Sequence, residues 1–397
     1  MSKQVMNETF KYMWRNKKNR LIMLIAFGGM LLYSVFILPN VQGINEVDVQ
    51  QLERELASNQ QTFEDRLETG QTISSLFTGT SAYEVARNEY VNQRDLLSAI
   101  RTGDARRYLQ IPYRPSGESG PEEDDGMSVL FLGRQRESDY QAHKNAVYIN
   151  EVDPLSFHHI HERTSLQQLH LFLIGWGPYA LIFLLLFMIS DVVTKDRKLT
   201  TQKIGVSKNW FVYLLTQSIA ALGFVVFFLA ILTVTFFLVN GLLHGFGSGA
   251  LPAGFFETVP ENEPFHQSFQ TTIPLSDFFI RSLPFAALLL YGFTRLNTLF
   301  SLILKQDVVV LIASTFTLLF PFLYYGEETI ELLGIHLSWF PQTYFHFGEA
   351  VTGLVEQTLN QTIPLSRGIL VLGVTILVLE VMNFGLSKLI TRQKFLA

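Results

Sequence analysis

The feature that most restricts this chain is the length of its apolar runs. Leu21–Leu38, Leu171–Ile189, Phe211–Val239, Leu283–Leu304, Val308–Tyr325 and Ile369–Ile390 approach or exceed the roughly twenty apolar residues that carry a helix across about 30 Å of hydrocarbon. Lipid offers backbone groups no partners, so a lipid-exposed run of this kind has to be a helix. The third run is long enough to tilt, and the fifth is interrupted by Pro321. The first reads as a true span and not a cleaved leader, because it is long and lacks a small-x-small cleavage site. Composition agrees: 48% of residues are hydrophobic, 34 are phenylalanine, and only 16% are charged. With no cysteine, a disulfide framework and Cys-ligated metal are excluded.

The lysines predict an orientation, since cationic loops remain on the cytoplasmic side. Lys3, Lys11, Arg15, Lys17, Lys18 and Arg20 precede the first run. Lys195, Arg197, Lys198, Lys203 and Lys208 separate the second from the third. Lys305 follows the fourth, and Lys388, Arg392 and Lys394 follow the sixth. Of the 12 lysines only Lys144 falls in a segment placed outside, and those segments hold Glu122-Glu123-Asp124-Asp125. The expected fold is therefore an all-α polytopic membrane protein in the cell membrane, with six transmembrane helices and both termini cytoplasmic. Its expected segments are an interfacial helix 1–20, spans 21–38, 169–190, 211–240, 278–304, 308–325 and 368–390, and a cytoplasmic loop 191–210. Outside lie an α-rich (α+β) domain 39–168, a loop 241–277 and partly inserted helices 326–367, with a cytoplasmic tail 391–397.

Within the outside domain, Asn45-x-x-Asp48 is a candidate helix opening, followed by Val49, Leu52, Leu56 and Phe63 at helical spacing and a stop at Gly70. Ser81-x-x-Glu84 has the form of a capping box, with Tyr83, Ala86, Tyr90, Leu97 and Ile100 on one face and an end near Gly103. Ser128–Leu132 and Ala146–Ile149 read as short strands. Further on, the Gly- and Pro-rich stretch 241–277 reads as loop, and Glu328–Leu337 and Phe347–Leu359 read as helices. No internal repeat points to an inverted-repeat secondary transporter.

Chemical motifs are few. His158-His159-Ile160-His161-Glu162 offers imidazoles and a carboxylate without the His-Glu-x-x-His spacing of helical zinc sites, so it reads as a polar collar and no metal is assigned. The acids at 122–125 lack a calcium-loop pattern. Neither a Gly-x-x-x-x-Gly-Lys-Ser/Thr loop nor Gly-x-Ser-x-Gly occurs, so the chain is expected to hold no nucleotide or cofactor and to be no enzyme by itself. Nor is a nucleic acid expected as partner.

Two segments have more pattern than topology requires. In 194–209, Leu199, Ile204 and Val206 interleave with the cations, suiting a short amphipathic piece that docks into a partner's groove, and Ser207 is placed to cap the next helix. In the first segment, Met6, Phe10, Met13 and Trp14 make one apolar face on a cationic helix of the kind that lies in the membrane interface. Two charges stand within the apolar runs, Arg295 and Glu380, each heading a polar stripe: Arg295, Thr298 and Ser301, and Glu380, Asn383 and Ser387. A lipid-facing charge costs at least about 2.5–3.5 kcal/mol at a helix centre, so the two are expected to pair or to line one polar cavity.

In order and layout these features resemble the ABC-2-type permeases, the membrane subunits of bacterial ABC exporters. The resemblance runs over the whole chain: an elbow helix, an outside insertion after the first span, a coupling loop between the second and third, and partly inserted helices before the last. Asp196 matches the acid of the family's coupling loop and "IGVSKNW", Ile204 to Trp210, its turn. Gly205 stands where proline is usual, and the usual Gly-Thr after the acid is missing. "FPQTYFHFGEAVTG", Phe340 to Gly353, resembles the family's Pro-x-x-Tyr segment. The chain resembles permeases of Gram-positive bacteria that export peptides or confer peptide resistance, and is similar in layout to sodium-extrusion permeases. The resemblance implies a separate cytoplasmic ATPase holding ATP and Mg, a second permease unit, and a path for a peptide-like or amphipathic substrate. It assigns ATPase coupling to Asp196, Lys198, Lys203, Ile204, Val206 and Lys208, and the elbow to Phe10, Met13 and Trp14. Other readings stay open: a membrane-anchored peptide receptor or scaffold, an ion-extruding (sodium-type) ABC permease, and an ion-coupled secondary transporter.

Overall fold

The computed structural model describes the chain except residues 1, 42, 44–45, 71–80, 112–141, 199–208, 259–267, 305, 324–329, 360, 392–393 and 396–397. The principal helices are α1 (Ser2–Arg15), α2 (Lys17–Leu32), α3 (Val49–Glu68), α4 (Ala82–Thr102), α5 (Ser165–Ile174), α6 (Gly177–Ile189), α7 (Trp210–His244), α8 (Leu275–Ile303), α9 (Asp307–Leu319) and α10 (Leu365–Leu389). A π-helical turn, Tyr33–Ile37, extends α2 toward Asn40. Four helices are long and apolar enough to cross a membrane: Lys17–Asn40, α7, α8 and α10. A fifth candidate is the bent pair Phe157–Ile174 and Gly177–Ile189. This architecture is compatible with an all-α membrane protein.

Two expected spans differ from straight rods. The second bends by 77° between α5 and α6. Its cause is the Gly175-Trp176-Gly177-Pro178 sequence. Pro178 has no N–H to donate and suits only a helix's first turn, and a Cβ on Gly177 would sit 2.1 Å from the Phe172 carbonyl oxygen. Counting apolar residues missed the bend because the break is itself apolar. The fifth run makes only the 13-residue α9, about 20 Å long, and one 3₁₀ turn, Phe320–Leu323, that contains Pro321.

The bundle buries polar side chains and exposes apolar ones. On α8, Thr294, Arg295, Asn297, Thr298 and Ser301 are buried, whereas Leu283 is 71% exposed. On α10, Asn383 and Ser387 are buried and Leu377 is 65% exposed. On α5, Ser165, Gln167, Gln168 and His170 face inward while Phe172 is open. A surface of this kind suits hydrocarbon, where polar groups have to find one another.

Near the cationic end, Val5, Val193, Tyr213, Leu214, Leu302 and Phe395 form one buried cluster, so the first and last described helical segments lie at the same end of the bundle. At the other end α3 and α4 pack as an antiparallel-style hairpin with a core of its own, built on Leu52, Leu96, Leu97, Ala99, Ala105, Tyr108 and Ile160. Asp48 caps α3 by accepting from the Gln50 and Gln51 amides; the cap is Asp48 itself, and Asn45 lies outside the described residues. Ser81 and Glu84 form the capping box of α4, and Gly103 closes it in the left-handed conformation with φ 74°.

Four short-range expectations are corrected. Residues 146–149 belong to a helix, 142–151, whose buried residues Lys144 and Tyr148 are followed by buried Val152, a spacing of four and not two; the expected strand 128–132 lies outside the described residues. The 241–277 segment contains an antiparallel hairpin, β1 (Pro252–Thr258) with β2 (Ser268–Pro274). Glu328–Leu337 is no helix: its described part forms β3 (Glu331–Leu332) and β4 (Ile335–His336). Phe347–Leu359 is two helices, Phe347–Thr352 and Leu354–Leu359, broken at Gly353, whose φ is 79° and whose Cβ would lie 2.2 Å from the Phe256 carbonyl oxygen.

Candidate functional site

Among the described residues α8 and α10 are the most closely associated pair of helices, and their facing polar stripes bring Arg295 and Glu380 together. Arg295 Nε donates to Glu380 Oε1 at 2.6 Å and Nη2 to Oε2 at 2.9 Å, a fork on a fork. Arg295 Nη1 donates to Ser218 Oγ of α7 at 3.2 Å, and the Ser218 and Thr298 hydroxyls are 2.8 Å apart. One turn before Arg295, the Tyr291 hydroxyl donates to Glu380 Oε1 at 2.6 Å. Asn383 Nδ2 reaches the Arg295 carbonyl at 3.1 Å. The Arg295 side chain is fully buried, while that of Glu380 is 26% exposed. The carboxylate is thus the open side of an otherwise closed network. Tyr291 and Ser218 were not among the sequence candidates. Tyr291 was legible in principle, lying four residues before Arg295 on the same helix face.

The same helices hold the segment that leads out of α6. Asn297 Nδ2 donates to the Ile189 carbonyl at 3.3 Å, and Gln217 Nε2 to the Val192 carbonyl at 2.8 Å. On its other flank the segment is held from α1 and α2. The Tyr12 hydroxyl donates to Asp191 Oδ2 at 2.7 Å, Asn16 Nδ2 donates to the same oxygen, and Lys18 Nζ reaches Asp191 Oδ1 at 2.9 Å and Ser190 Oγ at 3.0 Å. Lys195 Nζ lies 3.8 Å from the centre of the Tyr12 ring. Burial, reinforced by the Asp191 carboxylate, pushes the Tyr12 hydroxyl far above the usual phenol range, so Tyr12 stays a donor. Asp191 was missed in the sequence because its three donors lie more than 170 positions away. The local signal was a lone acid ending an apolar run beside a cationic loop.

Asp196, expected to face a partner, is 3% exposed and accepts from the Tyr213 hydroxyl at 2.7 Å. Its carboxylate is turned into the bundle, because α7 starts directly beside it. The side chain of Lys198, and Lys203, Ile204, Val206, Ser207 and Lys208 altogether, lie outside the described residues. Asn209 caps α7, accepting from the Val212 amide.

The first helix, α1, packs along α7. Its buried residues are Val5, Thr9 and Met13, at steps of four. Phe10 meets Phe224 edge-on at 5.4 Å. Met6 is 43% and Trp14 59% exposed, although the Trp14 ring also meets Phe224 edge-on at 6.4 Å, so of the expected apolar face Met13 and Phe10 are the most covered by protein.

The histidine collar is divided among separate partners. His158 lies 5.4 Å from His244, His159 Nδ1 is 2.8 Å from Ser156 Oγ, and His161 is 3.9 Å from Glu46. Glu162 pairs with the buried Lys144. Among the described residues no group of three or more His, Asp or Glu side chains is placed to hold a metal ion. Compared with known proteins, the chain matches no family model, no curated protein and no solved structure.

Proposed function

We propose that this chain is the membrane permease of an ATP-driven exporter of the ABC-2 type, a transport subunit and not an enzyme. It carries a peptide-like or amphipathic substrate in the cell membrane, with a second permease unit and a cytoplasmic ATPase that binds ATP and Mg. In this reading the six apolar segments, with the bent pair and α9 included, span the bilayer and both termini are cytoplasmic. The α3–α4 unit is then extracellular. The observation that carries the reading is the attachment of residues 189–196. They lead into the cationic segment and are held from one side by Tyr12, Asn16 and Lys18 and from the other by Gln217, Asn297 and Tyr213. A push on the cationic loop is thereby delivered to α1, α7 and α8 together, and through α8 to the Arg295–Glu380 pair. Docking into the ATPase falls to the loop's Lys198, Lys203, Ile204, Val206 and Lys208, whereas Asp196 anchors it.

The test is whether a neighbouring reading frame encodes an ATPase with a Walker A loop and whether that ATPase co-purifies with this chain, followed by export assays in proteoliposomes. Ile204→Asp and Lys203→Glu are expected to lose ATPase retention and ATP-driven export by about tenfold or more while inserting normally. Wild-type retention and export in Ile204→Asp would remove the coupling role. The partly open Glu380 carboxylate favours a second reading, ion-coupled transport. Movement driven by a proton or sodium gradient without ATP would decide for it.

A further inference from the structure

Between α9 and α10 the β3–β4 hairpin ends in a tip that contributes nothing to the fold. The register Glu331↔His336 and Leu332↔Ile335 leaves Leu333-Gly334 as a two-residue connection. Both residues have positive φ, 55° and 76°, as in a type I′ turn, which is normally Asn-Gly or Asp-Gly. In the left-handed conformation a Cβ crowds the following carbonyl, and only a short polar side chain offsets this by bonding locally. Gly334 fits the requirement and Leu333 does not. Packing offers Leu333 no return either, since it is 93% exposed, the most exposed large apolar side chain among the described residues.

The base of the hairpin is firmly held. The Leu337 amide donates to the Ile330 carbonyl at 2.9 Å, Leu337 is fully buried, and Leu332 packs against the main core. Thr343 Oγ1 donates to the Leu337 carbonyl at 2.6 Å and the Tyr344 hydroxyl to the Ser338 carbonyl at 2.7 Å. Tyr344 in turn packs on Phe285 of α8. The tip therefore projects from a fixed position at the end of the bundle where α9 finishes and α10 begins. The apolar surface there is open on both sides: Phe322 and Leu323 after α9 are 51% and 68% exposed, and Leu370 in α10 is 56% exposed. Trp339 is 54% exposed, with the Arg367 guanidinium 5.5 Å from its ring. Indole and guanidinium side by side are what the boundary between hydrocarbon and headgroups favours.

We propose that Leu333 is a lipid anchor: the β3–β4 tip inserts into the leaflet at this end of the bundle, so that acyl chains cover the leucine and secure the α9–α10 connection to the bilayer. Lipid is the occupant because the residues flanking the hairpin in sequence are themselves apolar and exposed, Phe322 and Leu323 before it and Leu370 after it, with Trp339 of the Trp339–Arg367 pair just after the hairpin. The inference rests on the reading of the bundle as membrane-embedded.

The chain has no cysteine, so single cysteines at Leu333 and at Leu377, in the middle of α10, can carry an environment-sensitive fluorophore in phosphatidylcholine proteoliposomes. Nitroxide lipids spin-labelled near the top or near the end of the acyl chain report depth, and iodide reports water. At Leu333 the shallow nitroxide is expected to quench several-fold more than the deep one, with little quenching by iodide; at Leu377 the deep nitroxide is expected to dominate. A label at Ile335, itself 50% exposed, repeats the measurement if Leu333→Cys does not fold. Quenching by iodide alone at Leu333, or by neither agent because protein covers it, overturns the anchor while lipid quenching at Leu377 leaves the membrane reading standing. Absence of lipid quenching at both positions overturns both.

Discussion

Two arginine–glutamate pairs of nearly equal length occupy opposite surroundings. Arg295 and Glu380 meet at 2.6 Å with side chains 0% and 26% exposed. Arg101 and Glu53 meet at 2.7 Å across α4 and α3 with side chains 64% and 47% exposed. The α3–α4 unit places Leu52, Leu96 and Leu97 inside and its Arg101–Glu53 pair outside, whereas the bundle, besides its apolar core, buries Gln217, Arg295, Asn297 and Ser301 and leaves Leu283 and Leu377 exposed. The difference teaches what each surface meets. Where water is available it can take over from a lost partner; where it is absent, every polar group depends on a neighbour.

The comparison breaks most readily at Arg295. Arg295→Ala strands Glu380 and Tyr291, and breaking a buried pair costs about 3–5 kcal/mol. Thermal unfolding in nanodiscs is expected to show this loss, and the exchange Arg295→Glu with Glu380→Arg to recover part of it. An exchange no better than the worse single change would mean that the pair is not the stabilising unit.

A smaller effect belongs to the other region. Burial, with the Glu46 carboxylate adding to it, pushes the Tyr108 hydroxyl up to about 12. The fold thus favours the neutral phenol. Stability from this group is present below the unfolded value near 10 and is lost as pH rises through the folded one. The α3–α4 unit is expected to lose about 2–3 kcal/mol across that interval, followed by circular dichroism at alkaline pH. Tyr108→Phe should flatten the dependence; an unchanged alkaline transition would place its origin elsewhere.

The smallest effect sharpens the contrast. Arg101→Ala removes a pair nearly as short as the buried one, yet exposed pairs contribute about 0–1 kcal/mol. The unfolding midpoint of the α3–α4 unit is expected to change little and to become insensitive to salt. A loss comparable with that of Arg295→Ala would show that distance, and not burial, sets the worth of these pairs.

How much of this was legible in the sequence differs by residue. The need for a partner was visible at Arg295 and Glu380, because a charge in an apolar run is costly wherever the run goes. Ser81, Glu84 and Gly103 announced the ends of α4, because capping is local. The Leu333-Gly334 turn was not read, since apolar periodicity across 328–337 looks helical until a reversal is allowed for. For Ala146–Ile149, a short apolar run does not distinguish strand from helix. The bend at Gly175–Pro178 was present in the letters but hidden by counting apolar residues. Asp191 had no readable partners, its donors on α1 and α2 being remote in sequence.

By itself, the sequence determined the ingredients of this fold: long apolar helices, cations gathered in a few segments, and two charges set within apolar runs. These are properties of single residues and short windows, and transfer energies act on them one at a time. Only the tertiary structure decided which groups answer one another. It joined Glu380 to Arg295, Tyr291 and, through Arg295, Ser218, turned Asp196 inward to Tyr213, and bound residues 189–196 from both flanks. Such choices are set by distances between segments far apart in the chain, and a distance exists only once the helices have packed.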